Sequence, residues 1–379
     1  MKPFHAGLGI LMLTAAWLVG CEPPRANGDL AEPGLVDGKV DPDIAQQARR
    51  RAPLIVDDDG SQDGMTSLAF VLQNPKFEVK AITVSQGLAH PAIFGNHVLK
   101  MLTRLDKTSI PVAIGRNAPL AGNNAFPDAF RQGSDTFWAP FVKLPETTAS
   151  RLDRRDAADL IIQTVKASSR PVKILATGPL TNIAEALRRD QSILANIASL
   201  HIMGGAVFVP GNLREHLDPL LKNNTVSEFN IWVDPVAASE VFAYGSQGLA
   251  IHLIPLDATN QIGFTRADLD GWKKTGTEEA VISGEFLDFA LTVISGNDPL
   301  IPNPAWDLVA ALMLSEPAFS SPTRLHIDVN VDGAPGANQG QTVSVKGQAP
   351  NASVYLHPGF NNLRFKTGEV FQTRLYSAN

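Results

Sequence analysis

Four carboxylates fall within seven residues near the start of the chain: Asp57, Asp58, Asp59 and Asp63, with Gly60, Ser61 and Gln62 between them. Carboxylates this close disfavour one another's ionised form. A hard cation held through oxygen relieves the repulsion. An Asp triplet alone reads as a solvated acidic turn. Its flanks change the reading: Leu54 to Val56 form an apolar run, and Met65, Leu68, Ala69 and Leu72 recur at helical spacing. The acids therefore occupy a strand-to-helix turn, where Asp63 also gains from the helix N-terminus.

Similar turns follow downstream. Ala176-Thr177-Gly178-Pro179-Leu180-Thr181-Asn182 leaves an apolar run and enters a helix, with Thr181 or Asn182 as cap. His201-Ile202-Met203-Gly204-Gly205 ends a strand in two glycines, where a backbone can approach a ligand closely. Asn224 to Asn230 lead into Asp234-Pro235, a helix start. Trp306-Asp307 opens an apolar helix, with Asp307 in its first turn; singly, that acid reads as a helix-start charge.

The elements that must position these groups alternate. Strands are predicted at 54–56, 79–84, 112–114, 172–176, 200–203 and 249–254. Helices are predicted at 64–73, 92–105, 157–167, 182–188, 235–244, 278–294 and 304–314. Alternation of this kind predicts an α/β fold, an open and mostly parallel sheet flanked by helices. Ligands then bind beyond the carboxyl ends of the strands, where the acid turn, Thr177 and Gly204 all fall. Residues 115–150 read as a loop-rich insertion. Beyond Pro322, the alternating stretch 325–331 and the runs 342–345 and 354–357 predict extra antiparallel strands on the same domain.

The 379 residues, 44% hydrophobic and 18% charged, are ample for a buried core. A net charge of −6 argues against binding nucleic acid or anionic membranes by bulk charge. Residues 1–20 carry a weakly basic start and an apolar run from Gly7 to Val19, too short for a comfortable span. Leu18-Val19-Gly20-Cys21 resembles a bacterial lipoprotein signal, with Cys21 the lipidated new N-terminus. Cys21 is the only cysteine, so no disulfide forms within the chain. Residues 21–51, rich in Pro, Gly, Ala and charge, read as a flexible tether, and 52–379 as the functional domain. The expected address is the bacterial cell envelope, lipid-anchored and facing the periplasm or exterior, with the membrane touched only through the anchor.

Taken in order, the Asp-x-Asp turn with its further Asp, Thr-Gly-Pro-Leu-Thr-Asn, Met-Gly-Gly, Glu-Phe-Asn with Asp-Pro, and the late Trp-Asp helix resemble the inosine–uridine-preferring nucleoside hydrolase family, over roughly Pro53 to Ser315. The resemblance implies hydrolysis of the N-glycosidic bond of a ribonucleoside or related riboside in nucleoside salvage, with a bound Ca2+. It implies that Asp59 binds the metal and acts as general base on its water, that Asp57 is a metal or supporting group, and that Thr177 (through its carbonyl) and Asp307 complete the metal site. It implies that Asp63, Asn224, Glu228 and Asn230 grip the ribose; Trp306, as an indole, can stack on the base. A homo-oligomer is a family expectation.

Three departures stand against the pattern. Gly64 takes the place of a second adjacent Asp that is a calcium ligand in the family, with Asp58 as an additional carboxylate nearby. Gln86-Gly87 stands where an Asn follows the second strand. Trp306 replaces a histidine that protonates the leaving base in some members, and His90, on another loop, is the alternative acid. Two other readings compete: a non-catalytic riboside-binding lipoprotein, and a haloacid-dehalogenase-like phosphatase with Asp57 as nucleophile and Asp59 as acid and base.

Overall fold

The computed structural model describes residues 35–36, 39–40, 51–213, 219–294, 296, 303–358 and 367–371. The stretch 1–20 expected to be a signal, Cys21, and nearly all of the expected tether 21–51 lie outside them. Leu35–Val36 and Lys39–Val40 pair as a short antiparallel ladder.

Each apolar run becomes a strand because both faces of the sheet are covered, so side chains of either parity are buried. Strand β1 (Ala52–Asp58) shows this best: Leu54 and Val56 join one core with helices α1 (Gln62–Gln73) and α2 (Pro91–Arg104), while Ile55 joins the other. Strands β2 (Phe77–Val84) and β3 (Val112–Ile114) extend the sheet on one side of β1. The chain then forms α3 (Asp128–Asp135) and α4 (Ala157–Ala167) and returns on the other side with β4 (Val172–Ala176). Helix α5 (Thr181–Arg189), β5 (Ile197–Met203), the short α6 (Phe229–Val233), α7 (Pro235–Gly245) and β6 (Ile251–Ile254) follow. The strand order reverses between β1 and β4, which opens a crevice beyond their carboxyl ends.

Helices α8 (Leu256–Thr259), α9 (Arg266–Thr275), α10 (Glu278–Phe289) and α11 (Trp306–Ser315) complete the helical layers. The predicted helix 278–294 is regular only to Phe289 and continues to Ile294 as a π turn. Helix α11 carries buried side chains from Asp307 to Ser315 and packs against α1.

The C-terminal region refines the expectation. The stretch 325–331 is not one strand. Thr323–Leu325 (β7) lies at the sheet edge, antiparallel to Ala352–Val354 (β8), whereas Ile327–Val329 pairs antiparallel with Thr342–Ser344 outside the main sheet. Strand β8 runs parallel to β6. The eight-stranded order is β7-β8-β6-β5-β4-β1-β2-β3, parallel except for β7.

Candidate active site

Asp57 and Asp58 are the last residues of β1, and Asp59-Gly60 turns the chain into α1. Ser61 caps that helix: its Oγ accepts from the Gly64 N–H at 2.7 Å and donates to Asp307 Oδ2 at 2.6 Å. The Asp307 N–H in turn donates to Asp63 Oδ2 at 3.0 Å. The N-termini of α1 and α11 thus meet, and acids 244 residues apart in sequence share one site.

The three acids of the triplet have different partners. Asp57 Oδ1 accepts from Thr83 Oγ1 at 2.6 Å and Asn182 Nδ2 at 2.8 Å, which fixes it between β2 and α5. Asp58 accepts from the Gly60 N–H and from Thr177 Oγ1, each at 2.7 Å. Asp59 Oδ2 accepts from the Leu88 N–H at 3.1 Å, and its carbonyl from the Ala89 N–H at 2.8 Å. A Cβ on Gly87 would stand 2.4 Å from that of Asp59, and one on Gly178 2.6 Å from it. Two bare backbones therefore clasp Asp59. Gly60 has φ +92° and no room for a Cβ against Ala89, so the turn itself requires glycine.

Asp57, Asp58, Asp59, Asp63 and Asp307 are all buried. Burial pushes Asp57 and Asp58 up to about 7. It pushes Asp59 and Asp307 well above the usual carboxylate range and also raises Asp63. The charges opposing ionisation of Asp59 and Asp307 are other carboxylates, including Asp58 and Asp63 for both. Such a cluster holds either protons or a cation.

Orphaned polar atoms mark the same region. Asp57 Oδ2, Ser85 Oγ, Gln86 Nε2 and Asn182 Oδ1 are buried without a hydrogen-bond partner among the described residues. Hard oxygen donors, mutual repulsion and an orphaned carboxylate oxygen fit a divalent cation in chemistry. Among the described residues, however, no three acidic, histidine or cysteine side chains converge on one cation position. The carboxylates are turned onto Ser61, Thr177 and backbone N–H groups instead.

The expected sugar ligands divide. Glu228 caps α6, accepting from the Asn230 and Ile231 N–H groups, and also takes the Gly205 N–H at 2.9 Å. Asn230 Nδ2 donates to the Met203 carbonyl at 3.1 Å and reaches the Thr177 carbonyl at 3.4 Å, so both residues stand over the ends of β4 and β5. Both amide hydrogens of Asn224 go to the Pro335 and Gln339 carbonyls, and its oxygen takes the Ser227 N–H. These bonds tie the loop before α6 to residues 335–339. Trp306 gives its indole N–H to Asn260 at 2.8 Å. Neither Thr181 nor Asn182 caps α5. Thr181 donates to Asp234 Oδ2 at 2.7 Å and Asn182 to Asp57.

Sequence reasoning missed Ser61, Thr83 and Asp234 as site builders. Ser61 was legible as an N-cap. Asp234 was legible only as a helix start, yet it also binds Thr181 and the Leu120 N–H, the latter 114 residues away.

The profile of the family described as inosine-uridine preferring nucleoside hydrolase matches residues 54–366. The chain is 32% identical over 309 residues to the pyrimidine-specific ribonucleoside hydrolase RihA of Salmonella agona, covering 80% of this chain and 93% of the relative. The corresponding RihA of Escherichia coli O6:H1 matches to the same extent. Among solved structures, the purine-preferring ribonucleoside hydrolase from Gardnerella vaginalis superposes with TM-score 0.72 at 22% identity, covering 84% of this chain and 99% of that one. The inosine-uridine preferring nucleoside hydrolase from Bacillus anthracis gives 0.70 at 23%, covering 85% and 99%. The structural likeness establishes the shared fold, and the profile and the curated relatives establish kinship: the chain belongs to the inosine-uridine preferring nucleoside hydrolase family of hydrolases.

Proposed function

We propose that the protein hydrolyses the N-glycosidic bond of ribonucleosides with water activated by Asp59 at a calcium site. One observation carries this reading: Ser61 and Asp63 hold Asp307 beside the acid turn, so carboxylates from both ends of the domain form one buried, mutually repelling cluster. Asp59, Asp307 and the Thr177 carbonyl would hold the cation, with Asp57 behind them, fixed by Thr83 and Asn182. When bound, the cation makes water more acidic and offsets the charge of the acids. Asp59, clasped between Gly87 and Gly178, is positioned to take the proton. Asp63, Glu228 and Asn230 suit ribose hydroxyls, and the surrounding carboxylates stabilise the positive charge that grows on the sugar as the bond breaks. Family membership sets the phosphatase reading aside.

A second reading keeps the ribose pocket but not turnover. The observation favouring it is Gly64, which brings no carboxylate to the start of α1. Lipid anchoring at Cys21, an envelope address and a homo-oligomer belong to the proposal for either reading. The test is elemental analysis of the purified mature domain beside a panel of nucleosides. Bound calcium with release of free base, stopped by a chelator, is the expected result. Retained nucleoside with no release of base supports the binder and rejects the hydrolase.

A further inference from the structure

The loop-rich insertion contains one buried cation that the mechanism above does not use. Arg131 lies on α3 and is 4% exposed. Its Nε has no hydrogen-bond partner among the described residues. A buried guanidinium N–H left without an acceptor is costly to a folded protein, and the Nε–H of Arg131 is such a donor.

Three contacts aim this helix at the acid cluster. The 86–90 loop that covers Asp59 through the Leu88 and Ala89 N–H groups continues into His90. The His90 N–H and Nδ1 meet the two carboxylate oxygens of Asp135 at 3.2 and 2.7 Å. His90 Nε2 lies 3.8 Å from Asp128, and His97 Nε2 meets the Asp135 carbonyl at 2.7 Å. Asp128, Arg131 and Asp135 follow each other at helical spacing on one face of α3. Arg131 therefore stands between the two acids that hold His90, on the face turned to the loop over Asp59. Burial presses its charge, while Asp128, Asp135 and Asp59 favour it, so the guanidinium is within electrostatic reach of the general base.

The two ends of a nucleoside ask for opposite charge. The ribose gains positive charge and is met by carboxylates. The base gains negative charge as the bond electrons leave with it. His90 is committed to Asp135 and Trp306 to Asn260. We propose that Arg131 is the ligand of the departing base, donating in a fork to its carbonyl oxygen and ring nitrogen and stabilising the anion as it leaves; this rests on the hydrolase reading. In that step water oxygen bonds to the anomeric carbon and its proton passes to Asp59. The C–N bond breaks, its electron pair goes to the base, and the base anion takes a proton from solvent. Arg131 remains protonated throughout.

The experiment compares leaving groups, using the mature calcium-loaded enzyme with uridine, inosine and p-nitrophenyl β-D-ribofuranoside. The nitrophenolate leaves unaided, whereas the bases do not. For Arg131→Met we expect kcat/KM on both nucleosides to fall about 10²-fold, the size of one lost charge-stabilising donor, with the loss in kcat. The nitrophenyl riboside should change by no more than about threefold, as uniform binding is untouched. Arg131→Lys should recover part of the nucleoside activity, and it carries the same comparison should Arg131→Met fail to fold. An equal fall on all three substrates, or none on the nucleosides, overturns the proposal while leaving the hydrolase standing. A wild-type enzyme that cleaves none of them overturns both.

Discussion

Asp58 Oδ2 stands 2.1 Å from the point a Cβ on Gly64 would occupy. The carboxylate of the strand end fills the space that a side chain at the helix start would need. The glycine and the additional acid are therefore one arrangement, not two separate departures. Gly64→Ala alone should cost about 1–3 kcal/mol through overpacking. Asp58→Ala should relieve most of that, with a coupling of about 1 kcal/mol or more in a double-mutant cycle. Urea denaturation of the four proteins measures it, and additive effects would show that the two sites are independent.

The same geometry predicts a transplant. Asp58→Ala/Gly64→Asp moves a carboxylate from β1 to α1 and should bind calcium at least as tightly as the wild type, while Gly64→Asp alone should bind more weakly because the two side chains collide. Calorimetric titration with calcium decides. Tighter binding by Gly64→Asp alone would mean that Asp58 moves aside without loss.

Asp59→Asn removes the proposed base but keeps its size between Gly87 and Gly178. Base release from uridine or inosine should drop by about 10³-fold, within the range for loss of a general base. In the calcium-free protein the melting temperature should change little, because burial already pushes Asp59 toward its neutral form there. Chromatographic assay of free base together with thermal denaturation checks both. Full activity in this variant would remove Asp59 from the mechanism.

Asp57 and Asp58 bind protons up to about pH 7 in the folded protein, against a usual carboxyl value of 3.8. Between these values the folded chain holds protons that the unfolded chain has lost. Raising the pH across that window therefore favours unfolding, by on the order of 1 kcal/mol per pH unit for each such group. The calcium-free protein should lose melting temperature steadily from about pH 4 to pH 7, the direction linkage gives for raised carboxyls. Added calcium should flatten the slope. A metal-free protein whose stability rises over that range would contradict the assigned burial of these acids.

Thr83→Val takes away one of the two donors that fix Asp57. It should cost about 1–3 kcal/mol, the usual loss when a buried acceptor is left short, and lower kcat more than it raises KM. Asn182→Ala tests the other donor in the same way.

Most of the sheet was legible because parallel strands covered on both faces are short apolar runs that stand out from amphipathic helices. The acid turn was legible for the same reason, bracketed by β1 and α1. Other elements were not. In α3, Asp-Ala-Phe-Arg-Gln-Gly-Ser-Asp has little apolar period, and the burial of Arg131 depends on the path of a loop, not on its neighbours in sequence. The α9 helix carried an unread signal: Thr265 and Asp268 form a capping box, and Gly276 ends the helix at φ +76°. The alternation at 325–331 was real, but its two halves pair with different partners. Asn224 matched a motif by position, while its amide is spent on carbonyls more than a hundred residues away.

Strand β8 slots between β6 and β7, although it is the last of the three to be synthesised. Until about residue 354 has left the ribosome, the outer margin of Ile251–Ile254 has no neighbour to pair with. A polypeptide cut short after Val345 would keep every acid of the reaction centre yet present a bare ladder of amides and carbonyls, a template for clumping. Pairing of Ala352–Val354 thus shields the margin of Ile251–Ile254, independently of the acids that carry the chemistry.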